Sequence, residues 1–391
     1  MKPRLSPLRG LFSLPEFRRL SCFLLAAACL TVAGCASPPL DAARASYYAG
    51  QAEAANQDLS RVPVQHKDVV LYLMERGMIR QSRGDYEGST RDWLAAIARE
   101  RELETYSLSR GSASLLVNDR TLAYRGYPFE RTLLHTFLAK NYLVRGLWDD
   151  AAVEARNIIR QQESLNGYPG DAYSRYMAGF CLEMTGDADN AALQYRLAAA
   201  LAPTVPLDPL TGRFAAGAPA VPRAAELVCF LSIGHVCAGP DVAEPAVALY
   251  ADGRYLGPAF VLANVGSIAQ QSAQRAAALQ AAKMVTRIAL KETLASAVGH
   301  ENQALGDLLR LLLFSFEQPD TRRWETLPQW LAVGRVPCPE KLTEFEAVFT
   351  AGPARAGVSV PVRGPFAQRG RTSVAFCRDI RFTTTQSPSA P

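Results

Sequence analysis

The sequence predicts an α+β protein, mainly α: an N-terminal helical-hairpin solenoid, then a mixed domain with a long Ala-rich helix and a small β-sandwich-like sheet. Three observations predict it. Small residues and turn glycines recur at helical spacing through residues 35–203. A proline-dense stretch at 204–223 then breaks the helical pattern. Beyond it, residues 224–382 combine one Ala-rich run with several short alternating segments. At 391 residues and 49% hydrophobic content the chain can bury real cores, which excludes a mostly disordered protein.

The first element is a targeting segment, residues 1–34. Lys2, Arg4, Arg9, Arg18 and Arg19 form a basic start, and the uncharged run Leu20 to Ala33 is too short to span a bilayer as a helix. The run ends in Val32-Ala33-Gly34-Cys35, which resembles the lipobox of bacterial lipoproteins. That resemblance implies cleavage before Cys35, lipidation of its thiol and acylation of the new amino group. Several acyl chains on one residue exceed what stable anchoring requires. Ala36 and Ser37 follow, with no Asp next to the Cys, a pattern that resembles export to the outer membrane. Without this leader the formal charge falls from +5 to about +1, because five basic residues and one acid (Glu16) leave. A near-neutral chain gives no electrostatic case for nucleic acid.

The solenoid rests on three turn glycines, Gly84, Gly146 and Gly186. Seven residues before them stand Gly77, Ala139 and Gly179; nine after stand Trp93, Ala155 and Tyr195. Small side chains let two antiparallel helices cross closely, and the following aromatic plugs the gap. The pattern resembles the tetratricopeptide (TPR) repeat, best from Ala172 to Pro203, but the spacing between turns is irregular. ASYYAGQAEAA at 45–55 adds a further helix. If stacked hairpins present a concave face, the contact candidates on first helices are Tyr72, Arg76, Arg80, Lys140, Tyr142 and Arg175. The array is interrupted between Arg101 and Arg131, where Asn118, Tyr124, Arg125, Glu130 and Arg131 supply polar and aromatic groups. Two readings stand for them: a binding lip at the mouth of the groove, or a plain helix start with Tyr124 as a staple.

After the Pro-rich linker, Glu226 to Val236 and Ala246 to Leu256 read as strands, the second ending at an Asp252-Gly253 turn. A long Ala-rich helix is predicted from Ser267, with Ser267 as its cap. Gly306 to Phe316 reads as a buried helix, with a membrane-dipping or partner-facing patch as the alternative. LAVGRV, FEAVFT, VSVPV and TSVAFC between Arg322 and Phe382 read as the strands of a small sandwich, and residues 383–391 as a disordered tail. Asp320-Thr321-Arg322-Arg323-Trp324-Glu325-Thr326-Leu327-Pro328 resembles a segment of a proteobacterial family of TPR-like outer-membrane lipoproteins. The resemblance implies no reaction. Trp324 is expected to pack the helices onto the sheet, and Arg322 or Arg323 to pair with an acid.

Five cysteines follow Cys35. An oxidising periplasm permits the pairings Cys229 with Cys237 and Cys338 with Cys377, while Cys181 reads as a buried hydrophobe. No Cys/His spacing suggests zinc, no catalytic motif is present, and no cofactor is implied. The sequence therefore predicts a non-enzymatic lipoprotein that binds a periplasmic or outer-membrane protein. A cell-envelope assembly factor or regulator of peptidoglycan synthesis, and a glycan-binding or hydrolytic enzyme, are the alternatives.

Overall fold

In the computed structural model, which describes residues 40–110, 123–214, 224–236, 243–301, 303, 320, 322–350 and 357–381, the turn glycines mark helix reversals. Two short helices, α1 (Asp41–Tyr48) and α2 (Ala52–Ser60), are parted at Gly50. Three hairpins follow: α3 (Val69–Ser82) with α4 (Tyr86–Arg110), α5 (Pro128–Val144) with α6 (Trp148–Glu163), and α7 (Ala172–Met184) with α8 (Ala188–Leu201). Gly84, Gly146 and Gly186 hold φ values of 79°, 70° and 88°, where a Cβ is disfavoured. In each turn the residue after the glycine donates to a carbonyl five positions back, as Asp85 does to Arg80 at 3.0 Å. That bond closes a Schellman-type cap.

The crossings follow the small-residue pattern. A Cβ on Gly77 would lie 2.2 Å from Trp93 Nε1, and one on Gly179 would lie 2.9 Å from the Tyr195 ring. Trp93 donates its indole N–H to the Met74 carbonyl at 3.1 Å, which satisfies the polar edge of a fully buried ring.

Among the described residues the strands are β1 (Glu226–Ile233), β2 (Ala246–Ala251), β3 (Arg254–Asn264), β4 (Trp330–Pro337), β5 (Glu344–Thr350), β6 (Val358–Arg363), β7 (Ala367–Arg369) and β8 (Thr372–Asp379). They form one mixed sheet in the order β6-β5-β2-β3-β4-β1-β8-β7, in which only β1 with β8 is parallel. This corrects the expected small sandwich confined to residues 322–382. β1, β2 and β3 enter the same sheet, and β6 curls round to meet β8. The curl encloses an apolar core of its own, built from Leu227, Cys229 and Leu231 of β1 with Leu249, Ala332, Phe345 and Phe349.

Alternation sends the other face of the central strands into the helices. Phe230 of β1 meets Tyr173, Tyr176 and Phe180 of α7 edge-on at 5.4–6.2 Å. β1 is consequently buried along its whole length, since both its faces are covered. Full burial of a side chain such as Phe230 contributes roughly 2–3 kcal/mol.

Two local expectations change. The long helix, α9 (Val265–Glu301), is capped by Asn264, whose Oδ1 accepts the Ser267 N–H at 3.0 Å, so Ser267 lies inside it. The described start of the Pro-rich segment is packed rather than free: Tyr176 donates to the Gly212 carbonyl, and Phe214 stacks on Phe260 at 4.8 Å. Residues 1–39, 215–223, 304–319 and 382–391, which carry the lipobox, the rest of the linker, the 306–316 run and the tail, lie outside the described residues. No described helix is long and apolar enough to cross a membrane.

Candidate functional site

Asp68, Glu75 and Glu130 are three carboxylates buried in the helix layer, and each must find donors. All three find them in the motif 320–326. Glu130 Oε1 accepts the Trp324 N–H at 2.7 Å, and Glu75 accepts the N–H groups of Glu325 and Thr326 at 3.1 and 3.2 Å. Asp68 pairs with Arg322 at 2.8 Å, and Arg322 also forks onto Asp320. Trp324 then enters the core between Trp93 and Phe137, with ring centroids 6.0 Å from each. Glu75 also holds Arg44 of α1 at 2.7 Å. Pro328 closes the motif ahead of β4, where Leu327 accepts the Val236 N–H.

Glu130 is the hub. It occupies the first turn of α5 after Pro128, and its Oε2 reaches back to the Tyr127 N–H at 2.7 Å. The same oxygen accepts the Tyr124 hydroxyl at 2.5 Å. Burial pushes the Glu130 carboxyl up to about 7, outweighing the three donors that favour its charge. Burial, then the Glu130 charge, pushes the Tyr124 phenol well above its ordinary value.

In front of this hub opens a pocket of about 390 Å³. Residues 123–127 and Arg131 line one side, Tyr168 and the Ala276–Gln280 stretch of α9 another, and Asp320 with Arg322 the third. Arg125 reaches Glu104 at 3.1 Å, and Arg131 reaches Glu100 at 2.8 Å. The Arg322 guanidinium lies 5.5 Å over the Tyr124 ring. Tyrosine faces and guanidinium forks on a charge-balanced wall suit a polar, hydrogen-bonding ligand better than an apolar one.

The sequence candidates divide sharply. Tyr124, Arg125 and Arg131 line the pocket, and Glu130, in the first turn of α5, stands fully buried behind it. The concave-face candidates are buried or half-buried. Tyr72, Lys140 and Arg175 are buried, with Tyr72 donating to the Leu59 carbonyl and Arg175 to Gln194. Arg76 and Arg80 are half-buried and both pair with Asp92, at 2.6 and 2.8 Å. Tyr142 is half-buried. The sheet packs on α5 and α7 and covers Lys140, which donates to Ser232 of β1, whereas Tyr72 and Arg175 are held by the neighbouring helices α2 and α8. Asn118 lies outside the described residues.

The expected pairing of Cys338 with Cys377 is not formed, and that of Cys229 with Cys237 falls partly outside the described residues. Cys229, Cys338 and Cys377 are free thiols, as is the buried Cys181. Cys229 and Cys377 lie in β1 and β8, neighbouring strands whose register sets Leu231, not Cys229, opposite Cys377. Cys338 follows β4 beyond the sheet's end, and Cys237 lies outside the described residues.

Sequence reasoning missed Asp68 and Glu75, and also a second buried network. There Arg335 bridges Glu226 at 2.7 Å and Glu183 at 2.6 Å, tying β4 and β1 to α7. A signal existed for Glu75, which stands two residues before the buried Gly77 in an apolar stretch. Among the described residues no group of three or more His, Cys, Asp or Glu could hold a metal ion. No protein-family model, curated protein or solved structure matches the chain.

Proposed function

We propose that the chain is a non-enzymatic outer-membrane lipoprotein, anchored through Cys35, that holds a periplasmic or outer-membrane protein partner at the lip pocket. The observation that carries this reading is the pocket itself. Four parts of the sequence, 123–127 with Arg131, Tyr168, Ala276 with Leu279 and Gln280, and Asp320 with Arg322, converge on one solvent-open space of about 390 Å³ whose lining includes tyrosines and arginines. Tyrosine and arginine are the side chains that most often anchor protein interfaces.

The helical half is TPR-like in this reading, supported by the three successive hairpins and the glycine-under-aromatic crossings at Gly77 and Gly179. Its concave face holds the chain's own sheet, which moves the partner site from the groove to the lip. A role in envelope assembly or in regulating peptidoglycan synthesis fits the same anchor and the same pocket.

One experiment tests the anchor and the site together. A photo-crosslinking residue is placed at Gln280, on the pocket wall, and separately at Leu193, on an exposed face of α8. Membrane fractions are then compared with and without Cys35→Ser. The expected result is one recurring protein adduct at position 280, none at 193, and release of the Cys35→Ser chain from membranes. Equal adducts at both positions overturn the site, and a Cys35→Ser chain that stays membrane-bound overturns the anchor. Binding to purified sacculi with no protein adduct would instead favour the glycan reading.

A further inference from the structure

A second cavity, separate from the lip pocket, lies between the helix layer and the sheet. It has a volume of about 260 Å³ beneath the α3–α4 turn. Gln81, Ser82 and Tyr86 form one wall and Val360–Arg363 of β6 another, with Lys140 of α5 and Phe376–Arg378 of β8 completing it. That is smaller than the roughly 300–1,000 Å³ of sites for drug-sized ligands.

The charges around it are one-sided. Lys140 is buried, and among the described residues its Nζ donates to a single acceptor, Ser232 Oγ, at 3.3 Å. The ammonium also faces the Phe376 ring at 5.2 Å and the Phe137 ring at 6.0 Å. Arg378 converges on the same strand end, donating to the carbonyls of Ser232 and Gly234 at 3.1 and 2.7 Å and towards the Tyr47 hydroxyl. Among the described residues no carboxylate pairs with either cation, and none lines the cavity. Asp379, the next residue of β8, alternates to the opposite face and accepts the Arg381 N–H. Arg363, at the outer edge, is exposed and paired with Glu344.

A buried ammonium without a counter-ion is costly unless something compensates it. Burial, with Arg378 nearby, holds the Lys140 amine down at about 7. Neither strand pairing nor helix packing explains a lysine here, where a methionine would fill the space with no charge to bury. A ligand carrying negative oxygens would supply what the site lacks: acceptors for the remaining ammonium protons and a counter-charge for two cations.

We infer that the cavity binds a small oxyanion ligand, a carboxylate or phosphate group seated between Lys140 Nζ and the Arg378 guanidinium. The ligand's remaining atoms lie against Phe376 and the apolar side chains of β6. The inference is independent of the lip pocket and its partner.

The test uses the full mature chain with inorganic phosphate and acetate as two probes, and chloride at matched ionic strength as control. Calorimetric titration and the thermal midpoint are the readouts, for wild type, Lys140→Met and Arg378→Gln. Saturable binding of one equivalent is expected for at least one probe, with a midpoint that rises on saturation. Phosphate alone assigns the phosphate class, acetate alone the carboxylate class, and both a general oxyanion site. Each variant should weaken binding at least tenfold. Lys140→Met, which loses a buried charge, should fold with an equal or higher midpoint that no longer responds to the probe. Absence of saturable binding for both probes overturns the inference, as does unchanged binding in a folded Lys140→Met chain.

Discussion

Glu130 and Lys140 sit in the same helix, and burial moves both towards neutrality, to about 7. Their effects on stability run in opposite directions with pH. The Glu130 carboxyl is raised above its ordinary 4.5, so its contribution is complete below 4.5 and is lost as pH rises to about 7. The Lys140 amine is lowered from its ordinary 10.5, so its contribution is complete above 10.5 and is lost as pH falls to about 7. Together they predict a stability minimum near neutral pH. At about 1.4 kcal/mol per unit, the limbs are on the order of 3 kcal/mol for Glu130 and 5 kcal/mol for Lys140. Urea unfolding between pH 5 and 9.5 checks this: Glu130→Gln should flatten the acid limb alone, and Lys140→Met the alkaline limb alone. Unaltered profiles in both variants would show that the two groups do not titrate as their burial requires.

The hairpins offer a sharper contrast between two glycines. Gly77 lies beneath the Trp93 indole, so Gly77→Ala must push a fully buried ring out of place, at a cost of about 2–3 kcal/mol. At Gly84 nothing lies within 4 Å of an added Cβ, and Gly84→Ala pays only for its φ of 79°, about 1 kcal/mol. Chemical denaturation of the two variants should separate them in that order, and equal losses would mean that Trp93 has room to move. Both positions were legible in the sequence, because small-residue spacing and turn glycines are local signals. The strands were legible too: the segments read as LAVGRV, FEAVFT, VSVPV and TSVAFC are β4, β5, β6 and β8. What could not be read was their partnership. Register between β1 and β8 joins residues about 146 apart in sequence, and nothing in either segment names the other. The site divides in the same way. Tyr124, Arg125 and Arg131 stood out as an unusual cluster in one stretch of chain. Asp68, Glu75 and α9 did not, since their roles arise only where the motif 320–326 lands.

Besides the core inside the curled sheet, helices and sheet share a second one, in which Phe230, Val333 and Trp324 lie among the side chains of α3, α5 and α7. The helical half therefore lacks a full core by itself. Residues 40–203 expressed alone should retain helical circular dichroism but lose the cooperative unfolding of the full chain, because the face of α5 and α7 under the sheet becomes exposed. A sharp two-state transition in that fragment would mean that the hairpins are self-sufficient. The same packing decides the fate of the groove. Tyr72, Lys140 and Arg175 have the spacing of contact residues on first helices, but neighbouring helices and, at Lys140, the sheet already bury them. By itself the sequence determined the elements, their turns, the small-on-aromatic crossings and the charge balance, all of which depend on neighbours within a few turns of chain. Only the tertiary structure decided that β1 to β8 form one curled sheet and that this sheet fills the helical face. It also decided that three buried carboxylates fasten the Trp324 motif beside an open pocket. Those outcomes depend on long-range burial, in which an acid or an amine is placed by whichever distant segment can satisfy it once water is gone.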